Sequence, residues 1–398
     1  MKFGNWLVGP GGSSRASVRL LLAMTVAGLL LNAGAADSIV GQETDETPAP
    51  AVAPAVIEVG DNQYKVEVAL ACTPVTAQGS TGTCWSFSAT SFMESELIRQ
   101  GYPATRLSEM FLVRQVYRDK ALNYVLRQGK ANFGEGALAH DYINMAGRYG
   151  LMPYEAFSGK ASDGDRHDHG EMVALLTGMV ESVVKLKQPS PRWQLAFEGI
   201  LDTYLGPVPP EFAYGDQVHT PQSFAALVNF DREDYISLTS YTHHPFEQSF
   251  VLEIPDNYSN GSFYNVPIDD LIQTIDRALK MGYTVVWDGD VSEATFAAQR
   301  GLAILPATPR RDAAQTPGPE LEVTQAMRQD TLLSYETTDD HLMHLVGLAY
   351  DQNGTKYYLI KNSWGEVGPL GGQLMMSEAY ARLKTVSILL HKDVLQAE

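Results

Sequence analysis

A cysteine placed between a glycine-containing turn and a helical pattern constrains this chain more than any other feature. The stretch is Gln78-Gly79-Ser80-Thr81-Gly82-Thr83-Cys84-Trp85-Ser86-Phe87-Ser88. Alternating Val66, Val68 and Leu70 before it predict a short strand. Phe87, Ser91, Met93, Glu94 and Leu97 to Ile98 after it recur at helical spacing, and Gly101 with Pro103 ends the pattern. Cys84 is therefore expected at a helix N-terminus, where unpaired backbone N–H groups and the positive dipole end favour a thiolate. Gln78, six residues upstream, is placed to offer a side-chain amide to a developing oxyanion, and Trp85 to wall the site.

Helices are also predicted from a Ser108 N-cap to Leu126, from about Ala137 to Tyr149 with Gly150 closing it, and from Asp269 to Lys280. Residues 155–265 are mixed, and no element pattern emerges between 155 and 230. Tyr283 to Trp287 reads as a strand, and strand-like runs follow a Pro- and Arg-rich loop at 341–350, 356–362, 372–376 and 385–391. Helices first and strands last is an α+β arrangement, with a helical N-terminal half and a β-rich C-terminal half.

A base for a cysteine nucleophile has to be a histidine. The run Asp340-His341-Leu342-Met343-His344-Leu345-Val346-Gly347 offers two on one predicted strand, and their spacing puts them on opposite faces. The 398 residues, 44% of them hydrophobic, suffice for a substantial core. A formal charge of −18 disfavours a nucleic-acid partner. No residue cluster has metal-ligand spacing, and no metal or cofactor is expected. Only Cys72 and Cys84 are present, so no disulfide framework is expected, and Cys72 is read as a small packed residue.

Lys2, Arg15 and Arg19 precede the apolar run Leu20–Leu31, and Ala33-Gly34-Ala35-Ala36 follows. That order predicts a signal peptide over 1–36, a periplasmic or secreted product, and no membrane anchor after cleavage. A Pro-containing linker over 37–63 and a folded domain over 64–398 complete the expected layout.

The segment Gln-x5-Cys-Trp-Ser-Phe-Ser resembles the active-site segment of papain-like cysteine peptidases. Lys361-Asn362-Ser363-Trp364-Gly365 resembles that family's Asn-Ser-Trp-Gly element. The resemblance implies a papain-like fold with Cys84 as nucleophile, His341 (six residues before Gly347) as base and Asn362 holding the imidazole. Trp364 would shield that hydrogen bond, and Gln78 would share the oxyanion hole with the Cys84 backbone N–H. Asn132-Phe133-Gly134-Glu135-Gly136-Ala137 stands where relatives pair with an extended substrate, which makes Gly136 a candidate contact beside Trp85 and Trp364. His341 lies much farther from Cys84 than the ~130–150 residues of ordinary relatives, so a large helical insertion is expected at about 155–265.

Asp234 to Leu238, His244-Pro245-Phe246, Tyr264 to Asp269 and Val286 to Asp290 resemble the bleomycin hydrolase and aminopeptidase C branch. This implies a peptide substrate, aminopeptidase action and a homo-oligomer, a hexamer in relatives. Thr83 stands where relatives carry Arg, and Leu342 where they carry a smaller residue. The chain ends soon after His391, without the relatives' C-terminal arm, and some endopeptidase action is expected on that ground. The alternatives are an inactive peptide-binding relative and a papain-like acyl transferase.

Overall fold

The computed structural model describes residues 56–162, 164–308 and 318–396. The expected signal peptide lies outside the described residues, and no helix among the described ones is long and apolar enough to cross a membrane. The expected linker reaches less far than residue 63, because β1 (Val56–Val59) and β2 (Asn62–Ala69) already pair as an antiparallel hairpin. Asn62, Tyr64 and Val66 point inward while their neighbours face solvent, the period-two pattern of a half-buried strand.

Helix α1 (Cys84–Arg99) is buried from Cys84 to Leu97 on all sides, although half of that run is polar. Its polar groups are matched individually: Ser86 donates to the Glu109 carbonyl, Ser95 to the Ala71 carbonyl, and the Leu107 N–H to Glu94. Gly101, at φ +86°, lets the chain leave the helix. Helices α2 (Glu109–Leu126), capped by the Ser108 hydroxyl, and α3 (Ala139–Tyr149) pack on α1 and on each other.

Helices α4 (Gly170–Val184) and α5 (Arg192–Leu205) then pair with each other and lean on α2. A small hairpin, β3 (Phe212–Tyr214) and β4 (Gln217–His219), and α6 (Pro221–Leu227) complete the helical region. The insertion expected over 155–265 is therefore helical only in its first part. Strands β5 (Tyr235–Thr239), β6 (Gln248–Val251) and β7 (Ser262–Asn265) belong to the main sheet.

The remaining elements are α7 (Ile268–Lys280), β8 (Val285–Gly289), β9 (Phe296–Ala297), β10 (Leu302–Ala303), α8 (Gln325–Leu333), β11 (His341–Asp351), β12 (Lys356–Lys361), β13 (Gln373–Ser377), α9 (Glu378–Lys384) and β14 (Thr385–His391). The sheet runs β6-β7-β5-β14-β8-β11-β12-β13-β10-β9, with β2 also pairing along β11. Its centre is apolar on both faces. Met343, Leu345 and Leu348 of β11 meet α7 and α9 residues such as Ile275 and Tyr380, whereas Val346 and Ala349 meet Tyr64 and Tyr357. The phase change between Leu345 and Leu348 is a β-bulge. Gly347 sits at this bulge, where a Cβ would stand 2.5 Å from the Val68 carbonyl oxygen, so only glycine lets β2 join β11 there.

Candidate active site

Cys84 is the first residue of α1, as its sequence context predicts, and its thiol lies against the backbone N–H of Leu342, the residue after His341. The start of strand β11, in the interior of the sheet, and the start of helix α1 thus approach each other. His341 Nε2 stands 2.7 Å from Asn362 Oδ1, and that oxygen also accepts the Ser363 N–H at 2.7 Å. An oxygen held as acceptor by a backbone N–H obliges Nε2 to carry the proton, which leaves Nδ1 as the basic nitrogen. Trp364 lies over the pair, its ring centroid 4.9 Å from that of His341, and remains 39% exposed.

His344 faces the other side of β11, as the strand period requires. Its Nδ1 is 2.8 Å from Ser91 Oγ on α1, inside a buried network that includes Lys361, Thr73 and Glu94. It is a packing residue remote from the thiol's partners.

Gln78 is tied to the Asn362 segment at both levels. Its backbone N–H donates to the Ser363 carbonyl at 2.8 Å, and its Oε1 accepts the Ser363 hydroxyl at 2.6 Å. The second bond fixes which end of the amide is nitrogen. Nε2 turns back toward the Cys84 loop and donates one hydrogen to the Thr81 carbonyl at 2.6 Å.

Two expected substrate contacts are placed differently. Trp85 is fully buried and donates its indole N–H to the Glu135 carbonyl at 2.9 Å, so it supports the 132–136 loop from behind. Gly136 is roofed by Asp256, whose Oδ2 stands 1.9 Å from where a Cβ would be, and its carbonyl is taken by Lys120 Nζ. Glu135, which had no expected role, accepts the Gly82 N–H at 2.7 Å and so braces the loop before Cys84.

The site's electrostatics were not legible in sequence. Burial pushes the Cys84 thiol up to about 12 despite the Leu342 N–H, and the carboxylates of Asp339, Asp256 and Asp288 act in the same direction. Burial pushes His341 down to about 4 against the bond to Asn362. A lone thiolate at Cys84 and a lone imidazolium at His341 are therefore both disfavoured. Asp288 is paired across the sheet with Leu342 and accepts the Ser387 hydroxyl at 2.8 Å. Its carboxyl also bonds to that of Asp339, and burial holds this pair protonated well above the usual carboxylate range.

Residues 62–158 match the family described as "Papain family cysteine protease", and residues 211–398 match "Peptidase C1-like family". The first segment carries Gln78 and Cys84 and the second His341 and Asn362, while α4 and α5 fall between them. The chain is 23% identical over 367 residues to Aminopeptidase G of Lactobacillus delbrueckii subsp. lactis, covering 81% of each. It is 21% identical over 384 residues to Aminopeptidase C of Streptococcus thermophilus, covering 85% of this chain and 84% of that protein. Aminopeptidase C of Listeria innocua is 28% identical over 193 residues, 47% of this chain and 42% of that protein. Among solved structures, pepw from Lactobacillus rhamnosis HN001 superposes with a TM-score of 0.65 at 20% identity, over 83% of this chain and 82% of that one, and so shares its fold.

Proposed function

Because the chain belongs to the papain-like cysteine peptidases of the aminopeptidase C group, we propose that it cleaves peptide bonds with Cys84, His341 and Asn362 as its catalytic triad. The observation that carries this reading is the 2.7 Å bond from His341 Nε2 to Asn362 Oδ1 at the strand start whose next N–H faces the Cys84 thiol. His341 Nδ1 takes the thiol proton, and the sulfur attacks the scissile carbonyl carbon. The Cys84 backbone N–H and the second hydrogen of Gln78 Nε2 stabilise the oxyanion, each donor of this kind contributing about 2.7–4 kcal/mol. His341 returns the proton to the leaving amine, and water then hydrolyses the thioester, with the same imidazole as base.

Aminopeptidase action is the preference we assign, and the likeness to Aminopeptidases G and C over more than four fifths of the chain supports it. The charge order of residues 1–36 supports export to the periplasm or medium; N-terminal sequencing of the mature protein tests it, and a start at residue 1 overturns it.

The deciding assay compares one peptide with a free and with an acetylated amino terminus. We expect Cys84→Ala to be inert and folded, stoichiometric iodoacetamide labelling of Cys84 to abolish cleavage, and acetylation to slow cleavage at least tenfold. Equal rates on both peptides would make the enzyme an endopeptidase, and an active Cys84→Ala protein would end the reading altogether.

A further inference from the structure

We propose that His243, His244 and Glu253 form a binding site for a divalent transition ion of the zinc class, outside the candidate active site and independent of the peptidase reading. His243 Nε2 stands 3.2 Å from Glu253 Oε2, and His244 Nε2 stands 2.9 Å from Glu253 Oε1. One ligand atom from each residue lies within 4.8 Å of the others, a grouping found among the described residues only here. A tetrahedral zinc ion with bonds of about 2.0–2.2 Å holds its ligand atoms roughly 3.3 Å apart, so each His–Glu pair would part by only a few tenths of an ångström, with the two imidazole nitrogens, within 4.8 Å of each other, settling to the same spacing. Two imidazoles and a carboxylate are a donor set that suits zinc, cobalt and nickel, and three protein ligands leave a position for water.

The surroundings hold these side chains as ligands. The Gln329 amide sits 3.3 Å from His243 Nδ1, and its Oε1 also accepts the backbone N–H groups of Thr242 at 2.6 Å and His243 at 3.2 Å. This contact holds the ring in place, and an ion at Nε2 requires the tautomer protonated on Nδ1. The His244 ring is stacked on Phe250, with centroids 4.1 Å apart and an interplanar angle of 25°.

The site closes one end of a cavity of about 350 Å³ whose walls include Leu252, Ile254, Leu332 and, at the active-site end, Asp339. An ion there ties the turn at 243–244 to the chain that leads from Glu253 to Asp256, the residue roofing Gly136. Bound metal is therefore expected to stiffen one wall of the cleft as well as to stabilise the fold.

The test uses untagged, full-length Cys84→Ala protein, because the active-site thiol and imidazole could themselves hold zinc. Calorimetric titration with zinc chloride is expected to give one equivalent bound with micromolar or tighter affinity, cobalt chloride a visible tetrahedral absorption band, and zinc a rise in melting temperature. Adding His244→Ala or Glu253→Gln is expected to weaken zinc binding at least tenfold and to remove the rise, whereas His391→Ala changes neither. The proposal is overturned if the Cys84→Ala protein takes up no ion, or if the His244→Ala and Glu253→Gln proteins, folded by circular dichroism, bind zinc as tightly as their parent.

Discussion

At the scale of single residues, the triad proposed above depends on how burial and a few directed bonds set the protons of Cys84 and His341. Burial opposes a net charge of either sign, so the pair stays at zero net charge between the values of about 4 for His341 and about 12 for Cys84. Below the lower value the imidazole holds a proton that the thiol did not supply, and the base is lost. The acid limb of kcat/KM is accordingly expected near pH 4, with no alkaline limb from this pair below about pH 10; an acid limb at pH 6 to 7 would show that the imidazole is solvated. Asn362 acts on the same proton by fixing the tautomer. Asn362→Ala is expected to lower kcat by roughly 10²-fold or more while leaving KM within a factor of a few, because the lost bond orients the base and does not hold substrate. Leaving the Ser363 and His341 N–H groups without an acceptor costs about 1–3 kcal/mol of stability as well, which urea unfolding measures.

At the scale of elements, helix α1 stands on a buried polar network, and that network has a pH signature. Burial, together with the neighbouring Glu109 carboxylate, pushes Glu94 up to about 7 in the folded protein. A carboxyl whose folded value is raised favours folding fully below its unfolded value near 4.5, and that contribution fades as pH climbs to about 7. The span corresponds to roughly 3 kcal/mol. The melting temperature is expected to fall between pH 5 and 8, and Glu94→Gln to fall measurably less over the same range. An equal slope in both proteins would place the titration elsewhere. Strand β11 supplies a second test. Gly347→Ala sets a methyl group against the Val68 carbonyl, and the expected loss is about 1–3 kcal/mol with the triad's chemistry intact, read as lowered urea midpoint and unchanged kcat for the folded fraction.

At the scale of the whole molecule, the formal charge of −18 favours the approach of a cationic substrate. The kcat/KM for a peptide with a free amino terminus is expected to drop as salt is raised from 20 to about 200 mM, more steeply than for its acetylated form; parallel responses would mean that this charge does not act on the ammonium group. How much of this was readable beforehand follows from the range of each interaction. Ser108 caps α2, Gly150 closes α3 and Cys84 opens α1 because capping, helix termination and period are decided within a few residues, and sequence states them directly. The pairing of His341 with Asn362 was expected from two short segments that resemble papain-like elements, and the structure has the bond between them at 2.7 Å. Residues 155–230 stayed opaque because α4 and α5 are stabilised mainly by packing on each other and on α2, and not by a strong local pattern. The same limit hid Asp256 over Gly136, the Asp288–Asp339 pair and the Glu253 carboxylate between two histidines. Those groups meet across loops and strands, and the pKa of a buried acid depends on neighbours that the linear order does not disclose. What the sequence determined alone, then, was the elements with local signals and the identity of the thiol, the imidazole and the amide. The approach of the Cys84 thiol to the start of β11, the burial that acts on Cys84 and His341 and the buried aspartates around them were decided by tertiary structure, because only packing brings distant residues within a few ångströms and removes the water between them.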